Sequence, residues 1–256
     1  MEFRTSVLGF AVGLLVGLTG MGGGAVMTPA LILLGWAKPV MAVGTDLVWG
    51  TVTKAAGAFV HWRQGTVDLK IVKRLALGSI PGALAGLVLM GWLHRSRGEI
   101  ANVVVVRMLG GALICVALTL FVRCLLGSQS PAPRFLVGLR RPQWVIPLVG
   151  AVIGFLVSLT SVGSGSLIVA CLAVLYPSTP LRRLVGSDLF HAVILVGVSA
   201  LGHLGIGSVD ARLLGGLLVG SLPGVWVGGK LSGAFPEKVL RPILATTLLG
   251  LGCRLL

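Results

Sequence analysis

The amino-acid sequence predicts an all-α integral membrane protein, with about eight to ten transmembrane or half-membrane helices in two structural repeats, the second inverted relative to the first. Three observations predict it. Hydrophobic residues make up 55% of the 256, charged residues only 11%, and the mean hydropathy is +1.02. No soluble fold could bury so much apolar surface. The apolar residues also fall into segments of bilayer-spanning length, without the alternation over about ten residues that a transmembrane barrel shows. Finally, a set of elements occurs twice at an offset of about 142 residues, so that Asp46, His61, Asp68 and Pro81 answer Asp188, His203, Asp210 and Pro223.

In chain order the apolar segments are Val7–Trp36, Val43–Trp62, Ile71–Leu93, Val103–Leu126, Trp144–Tyr176, Val185–Leu204, Leu213–Leu231 and Val239–Leu256. The first of each half is cut by glycines into pieces of about 12 to 15 residues, too short for separate crossings, which fits a re-entrant hairpin or two short helices meeting inside the membrane. Each half thus holds an odd number of segments, about five, and an odd number inverts the next half. The polar, proline-bearing stretch Leu126–Arg134 reads as the linker, giving residues 1–130 as the first repeat and 131–256 as the second, within one membrane domain.

Lys and Arg number 21 against seven Asp and Glu, a net charge of +14. In a soluble protein this would suggest nucleic acid; here the basic residues lie between apolar segments, the pattern of cytoplasmic loops, and no nucleic-acid partner is expected. Placing Lys70–Arg74, Arg134–Arg141, Arg182–Arg183 and Lys230–Lys238 inside leaves the His203–Arg212 loop outside, with His94–Arg97 as a basic exception. Cys115, Cys124, Cys171 and Cys253 have no CxxC spacing, so neither a disulfide framework nor a metal site is expected.

Chemistry is concentrated in a few polar residues. Gly22, Gly23 and Gly24 follow Thr19 and precede a fresh apolar run, so they mark a helix break whose downstream piece starts with free N–H groups. Such an N-terminus attracts anions through its unpaired donors and the helix dipole. The second copy, from Thr160 through Gly163, Ser164, Gly165 and Ser166, adds hydroxyl donors. Close helix packing through small residues is the other reading of these glycines. Asp46 and Asp188, after Thr45 and Ser187, either cap a helix start or mark an ion or proton pathway.

Lys54 follows Asp46 by eight residues in an otherwise apolar stretch, and Val196 stands at its repeat position. A buried cation needs a carboxylate or an anionic ligand. His61 and His203 read as C-terminal caps or as proton shuttles. Trp49 and His191, one turn after the aspartates, are placed on the face lining a cavity. Asp68 and Asp210 are expected to cap the helices that follow. Thr45, Asp46, Trp49, His61, Ser187, Asp188, His191 and His203 are therefore the candidates for gating or proton coupling. No HExxH, P-loop, GxSxG or nucleophile–base set is present, so neither an enzyme nor a cofactor is expected.

The pieces Gly20–Leu31, Val43–Leu47 and Gly78–Gly82, with their second-half counterparts, resemble the sulfite exporter TauE/SafE family, also called TSUP, over nearly the whole chain. The resemblance implies a secondary transporter moving small anions such as sulfite, sulfonates or sulfoacetate across a bacterial cytoplasmic membrane as a multi-pass protein, with a homodimer left open. The second copy departs from the family form by lacking the proline, with Ala170 in its place. The expected substrate site lies between the two breaks, with Lys54 adding positive charge and the repeats rocking around it. A cation or metal permease using the Asp and His residues is the alternative, as is a membrane scaffold that transports nothing.

Overall fold

The computed structural model describes residues 2–19, 23–126, 144–176, 179–231 and 237–256. Among them are ten helices and no strand: α1 Glu2–Thr19, α2 Gly24–Leu33, α3 Pro39–Arg63, α4 Leu69–Ser96, α5 Gly98–Leu126, α6 Val145–Thr160, α7 Ser166–Leu175, α8 Leu181–Ile206, α9 Ala211–Leu231 and α10 Glu237–Leu255. The linker near Pro131 lies outside the described residues. Among the described residues α1–α5 and α6–α10 fall in the same order, two shorter helices followed by three longer ones. α2 and α7 open at Gly24 and Ser166, which sets Ala170 opposite Thr28, and Cys171 rather than Ala170 opposite Pro29. Each broken segment is uneven: a helix of 18 or 16 residues precedes one of 10.

Four helices, α4, α5, α8 and α9, are long and apolar enough to cross a membrane. α3 is comparable in length but carries Asp46, Lys54 and His61. The molecule has its polarity reversed relative to a soluble protein. Leu77, Val88, Leu201 and Val219 are exposed on the outer surface, while Asp46, Asp188, Lys54, His191 and His203 are buried. A water-exposed protein could not keep so much apolar surface outside, whereas lipid accepts it.

The halves interlock by exchanging partners: α1 of the first half packs along α9, and α6 of the second along α4. Missing side chains permit both seams. A Cβ on Gly9, Gly13 or Gly17 would collide with the backbone at Leu217, Ser221 or Val225, and one on Gly78 or Gly82 with that at Pro147 or Ala151. The contacts advance together along both chains, so each pair is parallel. This is the small-xxx-small mode of membrane-helix packing, in which backbones approach without a hydrophobic driving force. The Gly-Ser-x-Pro-Gly elements therefore serve as packing seams inside α4 and α9.

At the centre α3 meets its counterpart α8, and α5 meets α10. Gly50 packs on Val196 and Gly57 on Leu189, so α3 and α8 run antiparallel. Gly110 against Leu256 and Gly252 against Ile114 give α5 and α10 the same antiparallel sense.

Two cross-half hydrogen bonds repeat the exchange. Thr45 Oγ1 accepts from the Asp210 N–H at 3.0 Å, and Ser187 Oγ accepts from the Asp68 N–H at 2.8 Å. Asp68 caps α4 by accepting from the Lys70 N–H, and Asp210 caps α9 by accepting from those of Arg212 and Leu213, as the sequence predicts.

Candidate functional site

The site is built on α3, α8 and the two breaks. α3 starts at Pro39, whose fixed φ suits a first helical position, and α8 starts directly after Pro180, which stands as its N-cap. Asp46 and Asp188 thus lie two turns inside their helices, and the capping reading is overturned: the N–H groups they would satisfy are already bonded within the helix. Both are carboxylates buried in a helix–helix interface.

Asp46 Oδ2 accepts from Thr28 Oγ1 at 2.5 Å and the Ser161 hydroxyl lies beside the same carboxylate, while Oδ1 has no hydrogen-bond partner among the described residues. Asp188 also has an unpartnered Oδ1, and Ala170 replaces the threonine that serves Asp46. Between the two carboxylates stands Lys54, 6% exposed, within electrostatic reach of both. Its ammonium donates to Ser164 Oγ at 2.5 Å. A hydroxyl from the second half's break thereby engages a cation from the first half.

The two breaks meet. Gly24 backs onto the Ser161 carbonyl so closely that a Cβ would collide with it, and that same Cβ would lie 3.1 Å from Asp46 Oδ2. Gly23 backs onto the Trp49 ring. A carboxylate therefore already faces the positive end of α2, where the sequence places an anion. In the second break Ser161 (φ 61), Gly163 (φ 109) and Gly165 (φ 151) unwind the backbone between α6 and α7. Two of these values belong to glycines because a side chain there would be strained. Gly22 and the Ser166 side chain lie outside the described residues.

The remaining candidates divide into two groups. Trp49 Nε1 donates to Ser221 Oγ at 2.7 Å, and its repeat counterpart His191 bonds through Nε2 to Ser79 Oγ, also at 2.7 Å. Both rings are buried beside the carboxylates, and His191 Nδ1 has no partner. By contrast, Thr45 and Ser187 turn toward the interhelical turns described above. His61 Nδ1 bonds Thr66 Oγ1 and His203 Nδ1 bonds Ser208 Oγ, each at 2.8 Å, holding the turn that follows. His203 Nε2 also donates to the Ser158 carbonyl. The Thr19 and Thr160 hydroxyls each donate to the carbonyl four residues back, at Leu15 and Leu156.

Sequence reasoning gave no role to Thr28, Ser79, Ser161 and Ser221, the hydroxyls that partner Asp46, His191 and Trp49. Ser79 and Ser221 carried a usable signal, because they recur in the duplicated Gly-Ser-x-Pro-Gly element. Thr28 and Ser161 have no such repeat, and only packing reveals them. Among the described residues no group of three or more His, Cys, Asp or Glu could hold a metal ion.

Comparison with known proteins places the chain among membrane transporters. The family model described as "Sulfite exporter TauE/SafE" matches residues 6–255. The chain is 41% identical over 260 residues to a protein of Bacillus subtilis (strain 168) named "Probable membrane transporter protein YjnA", covering 100% of both chains. It is 24% identical over 222 residues to "Probable membrane transporter protein YunE" of the same organism, covering 80% of this chain and 78% of that one. No solved structure matches it.

Proposed function

Because the chain belongs to the sulfite exporter TauE/SafE family and is a multi-pass membrane transporter of that type, we propose that it moves small sulfur-containing anions such as sulfite, sulfonates or sulfoacetate across a bacterial cytoplasmic membrane. The observation that carries the anion reading is Lys54. A buried ammonium held by one hydroxyl of an unwound segment is a site an oxyanion fits, because it needs one positive charge and several donors in a low-dielectric place. Ser161 and Ser164, together with backbone freed at the second break, supply those donors. A cation permease would use the same carboxylates, but Lys54 already stands between them and repels a metal ion.

Alternating access follows from the symmetry we assign to the halves. Helices related by an axis along the membrane normal stay parallel, whereas α3 and α8 run antiparallel, as do α5 and α10; an axis in the membrane plane, which inverts the repeats, fits both pairs. Rocking one interlocked pair of helices against the other would then open the site to each side in turn.

Purified protein in vesicles should take up labelled sulfite or methanesulfonate, and Lys54→Met should abolish uptake. Wild-type rates in Lys54→Met would remove the site assignment, and thermal stabilisation by divalent metals but not by sulfur oxyanions would favour the cation reading.

A further inference from the structure

An anion arriving at Lys54 meets two carboxylates as well. With Asp46 and Asp188 both ionised the set carries one net negative charge, and an added anion would make two. Charge left uncompensated in the middle of a bilayer is costly, so the set has to change its own charge when it loads. Among the described residues Lys54 is the one cation that acts on both carboxylates. His191 is the fourth titratable group here, bonded through Nε2 to Ser79 Oγ. The neighbours contributed by α2 and the second break, Thr28, Ser161 and Ser164, carry no charge.

The antiparallel register adds a direction. Gly50 on Val196 and Gly57 on Leu189 set Val52 level with its own counterpart Ile194, so the local two-fold axis passes there. At a rise of about 1.5 Å per residue, Asp46 and Asp188 then sit about 9 Å from this level on opposite sides, with Lys54 about 3 Å from it. The two carboxylates are stacked along the membrane normal with one ammonium between them, and each keeps one oxygen free of hydrogen bonds. The second half has Val196 where the first has Lys54, so the two carboxylates share one cation.

Resting on the anion-transport reading above, we propose that Asp46, Lys54 and Asp188 act as one charge-neutral switch, which makes the protein an electroneutral symporter of one proton with each monovalent anion. In the empty carrier Lys54 pairs with one ionised carboxylate while the other holds a proton, and the set is neutral. The anion displaces the paired carboxylate from Lys54. That carboxylate takes a proton from the water on the loading side through its free oxygen, and the loaded set is neutral again. On the far side the anion leaves, the proton returns to water, and Lys54 pairs once more with a carboxylate. The carboxylate nearer each surface receives Lys54 as the site opens there, so no unpaired charge crosses the membrane.

The test uses vesicles of the full chain loaded with a pH-sensitive dye, given an inward gradient of methanesulfonate or isethionate, which stay ionised and carry no proton of their own. The expected result is anion entry with matching acidification of the interior, at a rate unchanged when potassium and valinomycin impose a membrane potential. Anion entry without acidification, at a rate that follows the potential, overturns the coupling and leaves anion transport standing. Entry of neither anion overturns both. In the double variant Asp46→Asn with Asp188→Asn the acidification that accompanies anion entry should fall at least about tenfold, since no carboxylate is left in the set to take up the proton. Net acidifying uptake at the wild-type rate in that variant would also overturn the proposal. If the double variant yields no folded protein, the wild-type dye measurement decides.

Discussion

The Lys54 ammonium and the Ser164 hydroxyl, 110 residues apart in sequence, are joined by a 2.5 Å hydrogen bond that ties the central helix of the first half to the unwound break of the second. Removing the hydroxyl leaves the cation buried with one fewer partner, at a cost of about 1–3 kcal/mol. Ser164→Ala is expected to raise KM for the anion about tenfold or more with the fold retained. Vesicle uptake at varied substrate concentration checks it, and an unchanged KM would place the anion elsewhere.

Lys54 lies within electrostatic reach of two carboxylates. Lys54→Met should lower stability by about 3–5 kcal/mol, because removing the cation leaves buried charge uncompensated. Lys54→Arg should recover most of that loss. Thermal unfolding in detergent of the two variants side by side provides the comparison, and equal midpoints would show that Lys54 does not hold the carboxylates.

The helix seams are intolerant of bulk. Gly78→Val and Gly220→Val put a side chain into the backbones at Pro147 and Ser6, whereas nothing lies within 4 Å of a Cβ at Gly215. Both seam variants should lose folded protein, with overpacking costs of about 3 kcal/mol or more, and Gly215→Ala should behave as wild type. Monodispersity after extraction reports the outcome.

Inversion of the repeats has a direct readout. Lys70 and Arg212 occupy equivalent exposed positions at the starts of α4 and α9. With the native cysteines replaced, Lys70→Cys and Arg212→Cys should react with a membrane-impermeant thiol reagent from opposite sides of the membrane. Labelling of both from one side would mean parallel repeats.

Asp68 and Asp210 act on stability rather than transport. Each accepts from a backbone N–H at its helix start, so Asp68→Ala or Asp210→Ala should cost about 1 kcal/mol and leave KM unchanged. A changed KM would give these residues a place in the transport path.

Much of this protein was legible in the sequence because lipid imposes simple demands. Long apolar runs had to be helices, since the backbone can satisfy its own hydrogen bonds in no other way within one segment, and the fixed offset from Asp46 to Asp188 exposed the duplication. Asp68 and Asp210 were readable as caps because capping depends on residues two or three positions away. Asp46 and Asp188 were not, because the choice between a cap and a buried carboxylate depends on where the helix starts. That start is set by Pro39 and Pro180, earlier in the chain than the first apolar residues suggest.

What the sequence determined by itself was the fold class and the short set of polar residues within its apolar segments. The tertiary structure decided their partners. Antiparallel crossing of α3 with α8 brought Asp188 within electrostatic reach of Lys54, which already shares α3 with Asp46. Exchange of α1 and α6 between halves brought the two breaks together, so that Asp46 came to face the helix N-terminus where an anion was expected. The cross-half contacts among these join residues more than 100 positions apart and arise from which glycine surfaces let two helices approach, a property of the packed pair that neither segment carries alone.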